Sequence, residues 1–376
     1  MTTSPLQVPP KKIVHVVLSM VVGGAERLVY DMVRFPGFAG NRPVVCCLDR
    51  VGELGEKLLE EGYRVFSRGR RPGLDLEVIT WLRDIIRQEK ADVVHAHQYS
   101  PLFYAVPAAL LAGRVKVVYT EHGRLFPDQR RWKRYLYNPI LAAATDHLVS
   151  ISSSTARAMA EIDNFPRQRI KVIHNGIDCS GMRALIDRRA KRSELGLPED
   201  GRIIGTAARL NSIKNIEMML RVLKQVLRQV PDCFLVIAGQ GEEEDRLKAK
   251  VCELDLAGKV RFIGLRFDLQ EIYQLFDVFL LTSLSEGISV TLLEAMASAV
   301  PSVVTDVGGN REVVVQDKTG FLVPLDDDDR MSQGVCALLQ DRDLAWNMGQ
   351  AALERVSTDF SVQGMMAAYC ALYAAG

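Results

Sequence analysis

The sequence predicts an α/β protein of two units, each built on a parallel sheet with helices over both faces. Three observations carry that expectation. Short apolar runs alternate with amphipathic stretches along nearly the whole chain, the pattern of repeated strand–helix units. Those runs are continuous, as strands buried on both faces are, rather than alternating. A length of 376 residues suits two such units of roughly 180 residues each. With 48% hydrophobic and 25% charged residues, the composition is that of an ordinary soluble protein, which argues against a disordered or fibrous chain. No apolar run reaches the length of a membrane span, and the Pro-rich start MTTSPLQVPPKK has no signal-peptide core. The seven cysteines are odd in number and lack metal-type spacing, so reduced thiols in a cytosol are expected.

Residues 13–18 read as the first strand, followed by the loop VVGGAE and a helix over 25–33. Gly23 and Gly24 allow the backbone to approach a ligand, and the helix start favours an anion; a plain tight turn is the alternative. Strands follow at 44–48, 63–66 and 92–95, with helices at 54–61 and 76–89. Ligands of such sheets sit beyond the carboxyl ends of the strands, where His97 and Gln98 fall. His95, inside its strand, reads as a satisfied core histidine. The strand at 116–120 leads into Glu121-His122-Gly123-Arg124, with His122 placed to touch a substrate hydroxyl. From Arg124 to Tyr137, the cations Arg130, Arg131, Lys133 and Arg134 interleave with Trp132, Tyr135 and Tyr137. That is the composition of a helix docking on anionic lipid, or of a solvated face. A strand at 147–151 precedes Ser152–Ser154, which can cap a helix starting near Thr155. The strand at 170–173 ends in the turn His174-Asn175-Gly176-Ile177-Asp178, and the domain boundary is placed in the polar, basic segment 180–191.

The near-neutral total hides an asymmetry: residues 1–185 carry about +8 and the remainder about −7. The basic half is expected to meet something anionic, a membrane surface or a phosphate-bearing acceptor. No recognised reading motif supports nucleic acid.

In the second half, the strand at 202–206 precedes Arg209 and Lys214, five residues apart in a strand-to-helix loop. There they can converge on one diphosphate, Arg bidentately and Lys as a point charge. After the strand at 234–238 comes Gly239-Gln240-Gly241; after 260–264 comes Leu265-Arg266-Phe267-Asp268, with Asp268 expected to cap the next helix. The stretch 283–309, SLSEGISVTLLEAMASAVPSVVTDVGG, lies between strand 278–281 and the end of strand 302–305. Glu286 stands just before a helix opening near Ser289, and Glu294 lies one to two turns inside it. A wholly helical span would separate them by roughly 12 Å. A helix start holds phosphate, and carboxylates suit hydroxyls on either side of it; two helix-boundary glutamates are the bland alternative. No Asp-x-Asp metal motif occupies a plausible loop, and the acidic run 326–329 reads as solvated surface.

The Glu286–seven residues–Glu294 spacing, with the GGAE, EHGR, HNGID, Arg209/Lys214 and VGGNRE elements in order, resembles the retaining glycosyltransferases of family 4. That resemblance implies the GT-B fold, two Rossmann-like domains facing across a cleft: an acceptor-binding domain at 1–185 and a donor-binding domain at 186–359, with the helix 360–376 packing back on the first. It implies a nucleotide-sugar donor, UDP-linked in preference, a glycan acceptor carried on lipid, and transfer with retention by front-side attack. No metal or other cofactor is expected. His122 would reach the outer hydroxyls of the sugar, Arg209 and Lys214 would neutralise the leaving phosphate, and Arg266 would stack on the base. Gly23, Gly24, Gly287, Ile288 and Ser289 would line the donor, with Glu286 on the sugar hydroxyls, Glu294 on the ribose, and His97 and Arg124 on the acceptor side. Ala208 and Ala299 stand where glycine is usual in the family, and Val290 where a polar residue is frequent; the last two leave the sugar preference open. A cytoplasmic protein on the inner face of the membrane is implied. The rivals are a nucleotide-sugar 2-epimerase of the same architecture and a non-catalytic partner in a glycan-assembly complex. A dinucleotide oxidoreductase lacks its G-x-G-x-x-G motif here.

Overall fold

The structure, a computed structural model, describes residues 11–38, 42–123, 132–182 and 186–375. The chain forms two compact units, one of residues 1–176 with 362–376 and one of residues 177–361.

The first unit is a seven-stranded parallel sheet: β1 (Ile13–Ser19), β2 (Val44–Arg50), β3 (Arg64–Ser67), β4 (Val93–His97), β5 (Lys116–Glu121), β6 (His147–Ser150) and β7 (Ile170–Val172), in the order β3-β2-β1-β4-β5-β6-β7. The central strands are buried along their length because helices cover both faces. The second unit repeats the winding with six strands: β8 (Arg202–Ala207), β9 (Cys233–Ala238), β10 (Val260–Gly264), β11 (Val278–Leu281), β12 (Ser302–Thr305) and β13 (Gly320–Val323), ordered β10-β9-β8-β11-β12-β13. Both are Rossmann-like sheets.

The division between Gly176 and Ile177 falls before the basic segment in which the sequence reading places the boundary. Ile177 already belongs with the second unit, since its N–H donates to the Phe360 carbonyl at 2.9 Å. The C-terminal helix Val362–Ala374 groups with the first unit, where Tyr369 and Tyr373 are fully buried. Four of the longer helices go beyond the sequence expectation: Tyr99–Gly113, Arg188–Glu194, Asp328–Gln340 and Arg342–Asp359. Tyr99–Gly113 was not anticipated, because it is apolar almost all round and carries Pro107; such a run has no helical period to detect. Arg188–Glu194 begins within the supposed boundary segment and runs past its end, capped by Asp187, whose carboxylate accepts the N–H groups of Arg189 and Ala190.

Candidate functional site

In the second unit β8, β11 and β12 are neighbours, so the loops leaving their carboxyl ends stand side by side. The β8 loop carries Arg209, which is exposed, and Lys214, which is half-buried. This loop is braced from β9. Ala208 N–H donates to Ala238 O at 2.9 Å and Leu210 N–H to Gln240 O at 3.0 Å. The approach is so close that a Cβ on Gly239 would lie 1.9 Å from Ala208 O, and one on Gly241 2.2 Å from Leu210 O. The Gly-Gln-Gly turn therefore seats the loop bearing Arg209.

The β11 loop holds Glu286 and is tied on both sides. Leu284 N–H donates to Ile213 O at 2.8 Å, and the Thr282 hydroxyl to Asn215 O at 2.9 Å. On the other flank the Thr305 hydroxyl donates to Ser283 O at 2.7 Å and Gly309 N–H to Glu286 O at 3.1 Å. Gly308, at φ +53°, and Gly309 lie directly on this backbone; their Cβ atoms would fall 1.9 Å from Glu286 O and 1.7 Å from Gly287 O. Within this frame Lys214 Nζ sits 2.6 Å from Glu286 Oε1, which also accepts from the Ser283 hydroxyl at 2.6 Å. The structure thus brings Lys214 and Glu286, two of the residues singled out by sequence, into one ion pair across neighbouring loops.

The helix after this loop runs Val290–Ala297, with Ser289 as its cap accepting from Leu292 N–H at 3.3 Å. Gly287 and Ile288 lie in the loop between Glu286 and that cap, facing the end where helix N–H groups point outward. Glu294 sits in the helix, with the Tyr273 hydroxyl donating to it at 2.9 Å. Arg266 is placed differently. Its guanidinium lies 2.6–2.8 Å from Asp268 and 2.6 Å from Glu194, in a lattice completed by Lys191 and Glu271. The hydrogen bond from Arg266 holds the Asp268 carboxyl well below the usual range. Burial works against the Lys191 charge, but hydrogen bonds to Asp268, Glu271 and Glu194 outweigh it and raise that group. Asp268 does not cap its helix through its side chain, contrary to the sequence expectation, because its carboxylate is already engaged by these two cations.

In the first unit Gly23 is the cap position of helix Gly24–Val33, and Gly24 opens that helix. His97 is the last residue of β4, 2% exposed, and His122 is half-buried just beyond β5. Arg124 lies outside the described residues, as do Arg130 and Arg131. Period-two geometry puts His95 and His97 on one face of β4, and β1 pairs in register with His15 opposite His95. His15 Nδ1 lies 2.9 Å from His97 Nε2, and His97 Nδ1 lies 2.9 Å from His122 Nε2. His95 is the satisfied core histidine expected of it, 2.8 Å from the Tyr373 hydroxyl and 2.8 Å from Thr120 Oγ1. Burial pushes His15 down to about 3 and His122 to about 4. It also holds His95 and His97 well below the usual value, helped by the neighbouring imidazoles. His15, His95 and His97 offer nitrogens within 4.8 Å of one another, a spacing that also suits a metal. Both nitrogens of His95 and of His97 already have partners, so the group is a hydrogen-bonded cluster. Sequence reasoning missed His15; the available signal was a histidine in β1 matching the His-x-His of β4.

Comparison with known proteins agrees with this architecture. The family model described as Glycosyltransferase Family 4 matches residues 22–180, and the one described as Glycosyl transferases group 1 matches residues 187–355. A Bacillus subtilis (strain 168) protein named as a glycosyltransferase, EpsD, is 30% identical over 285 residues, 73% of this chain and 74% of the relative. The UDP-Gal:alpha-D-GlcNAc-diphosphoundecaprenol alpha-1,3-galactosyltransferase of Escherichia coli is 28% identical over 345 residues, 88% of each chain. Among solved structures, Anabaena Alr3699/HepE in complex with UDP superposes with a TM-score of 0.82 at 21% identity, covering 95% of this chain and 98% of the other. With both halves matched by their models and the fold shared along the chain, this protein belongs to the family 4 glycosyltransferases of the GT-B fold.

Proposed function

We propose that the protein transfers a hexosyl or N-acetylhexosaminyl group from a UDP-sugar to a lipid-linked glycan, with retention and without a metal. The observation that carries this reading is the Lys214–Glu286 pair on two loops locked together by backbone hydrogen bonds and glycine contacts. Breaking the bond between the anomeric carbon and the diphosphate leaves negative charge on phosphate oxygen. Lys214, Arg209 and the N–H groups at the start of helix Val290–Ala297 are the groups assigned to it, Lys214 and the helix N–H groups being in place before the reaction begins. Glu286, which steadies the Lys214 ammonium, takes the sugar hydroxyls, and Glu294 takes the ribose. The acceptor hydroxyl oxygen bonds to the anomeric carbon on the face the phosphate leaves, and its proton passes to the departing phosphate oxygen. No protein nucleophile enters the balance.

UDP is favoured because HepE is seen with UDP and with UDP-glucose, and the E. coli relative is named for a UDP-Gal donor and a diphosphoundecaprenol-linked acceptor. No described helix is long and apolar enough to cross a membrane. The helix Trp132–Ala143 instead exposes Trp132 (69%), Leu136 (62%) and Ile140 (67%) at a spacing of four, with Lys133 beside them. A stripe of that kind supports contact with anionic lipid, where a lipid-linked acceptor resides.

The test is release of nucleoside diphosphate from a panel of UDP-, GDP- and ADP-sugars with and without lipid-linked acceptor. Acceptor-dependent UDP release supports transfer; an epimerised sugar still attached to UDP supports the isomerase instead. Glu294→Ala is expected to weaken UDP binding without unfolding the chain, and wild-type affinity in that variant would refute the ribose assignment. Flotation with anionic vesicles, lost on Trp132→Ser with Leu136→Ser, tests the lipid contact.

A further inference from the structure

Three imidazoles run from the middle of β1 to the loop beyond β5, and the way they are joined restricts their protons. Each neutral imidazole carries one N–H and one lone pair. Both contacts join Nδ1 of one ring to Nε2 of the next, His15 to His97 and His97 to His122, each at 2.9 Å. A donor must face an acceptor in both contacts. Only two arrangements satisfy that: all three protons on Nδ1, or all three on Nε2.

The outer ends of the chain decide between them. Among the described residues, His15 Nε2 and His122 Nδ1 are both buried without a hydrogen-bond partner. With the protons on Nε2, His15 would leave an N–H unpaired in a part of the core where the residue is 0% exposed. With the protons on Nδ1, the unpaired N–H belongs to His122, whose Nδ1 is covered but whose residue is partly exposed just beyond β5, so its cover can part for a ligand at less cost than the core around His15. An orphaned N–H is among the rarest defects of a folded core, and a bare lone pair is better tolerated.

We infer that His15 and His97 are positioning residues that hold His122 as its Nδ1–H tautomer, so that His122 presents a hydrogen-bond donor to an oxygen of the transferred sugar. The ligand chemistry rests on the transferase reading above; the locked tautomer does not. His15 then influences substrate through two hydrogen bonds without touching it. His95 stands outside the chain, since its nitrogens face Tyr373 and Thr120.

The experiment is long-range ¹H–¹⁵N correlation on the full chain with ¹⁵N-labelled histidine at neutral pH, with assignment by single substitution. His15, His97 and His122 are expected to share the Nδ1–H pattern, the opposite of what free histidine prefers in water. Mixed tautomers among the three, or Nε2–H in all, would overturn the inference. His15→Phe is expected to release the His122 tautomer and raise KM for the donor about three- to tenfold, with a smaller change in kcat, as loss of one ordinary hydrogen bond does. His15→Asn, whose amide can return an N–H to the same place, is expected to restore both. An unchanged His122 signal in His15→Phe would also overturn the inference, and if that variant does not fold, the wild-type pattern decides alone. Matching Nδ1–H tautomers in a protein that turns over no nucleotide sugar would sink the transferase reading and leave the lock standing.

Discussion

The two sheets follow one winding rule and hold their polar groups in opposite ways. In the first unit the groups are neutral imidazoles aligned by strand register, buried on β1 and β4 and half-buried just past β5. In the second they are charges on loops, held by glycines that let one backbone press on another. The difference follows from desolvation. A cation set inside a strand would carry a large burial penalty, whereas an imidazole avoids it by staying neutral. Charge must therefore be moved out to the loops, and a loop needs bracing that a strand already has.

The contrast breaks most visibly at the cations. Lys214→Ala or Arg209→Ala is expected to lower kcat by about a hundred- to a thousandfold, on the order of 2.7–4 kcal/mol, with the fold intact by circular dichroism. His15→Phe should cost far less. If steady-state kinetics ranked His15→Phe above Lys214→Ala, the assignment of charge neutralisation to the second unit would be wrong.

The bracing can be tested next. Gly309→Ala places a methyl where Gly287 O now stands at 1.7 Å, so the β11 loop must move. A loss of about 1–3 kcal/mol in urea unfolding is expected, together with weaker UDP binding. Gly258→Ala is the control: its φ of +83° makes it strained too, but nothing lies within 4 Å, so UDP affinity should hold.

The buried imidazoles give the first unit its own acid sensitivity. Histidines in an unfolded chain titrate near 6.5, whereas folded His15 does so at about 3 and His122 at about 4. As pH falls below about 6.5 the unfolded chain takes up protons that the folded sheet excludes. Stability is fully present above about pH 7 and declines by about 1.4 kcal/mol per pH unit for each such group. Hydrogen exchange should show β1, β4 and β5 opening before β8 and β9 between pH 6.5 and 4. Equal opening of both sheets would count against it.

Strands and loop ends were legible in the sequence because they depend on local pattern. The runs Val278–Leu281 and Ser302–Thr305 are buried parallel strands bounded by turn residues, Val260–Gly264 is the partly exposed edge strand of the same sheet, and the structure returns those bounds. Ser152 and Ser289 cap their helices as their residue types suggest. What stayed hidden depends on partners far along the chain. Gly308 and Gly309 look like a flexible turn until the Glu286 backbone is set against them, and Gly239 and Gly241 likewise until Ala208 and Leu210 arrive. His15 acquires a role only through its pairing with β4. The helix Tyr99–Gly113 was unreadable for another reason, since a helix apolar on every side has no period.

Arg266 is where local and distant signals pulled apart, and the smallest expected effect sits there. Its loop position suggested a side chain stacked on a base, yet the guanidinium is held in its own plane by Asp268 and Glu194. Those carboxylates engage the N–H groups at the edge of the guanidinium, whereas stacking on a base would use its faces, so the ion pairs do not by themselves exclude the base contact. The pairs are about a quarter to a half exposed, and solvent screening limits their worth to about 0–1 kcal/mol. Arg266→Ala is therefore expected to change urea stability by less than about 1 kcal/mol. If the guanidinium also covers the base, UDP affinity falls about three- to fivefold, a loss of about 0.6–1 kcal/mol, and Arg266→Lys, with no plane to stack, recovers little of it. An unchanged UDP affinity in both variants would make Arg266 a purely structural clasp between its loop and the helix Arg188–Glu194, and would pass the recognition of the base to backbone groups of the β10 loop.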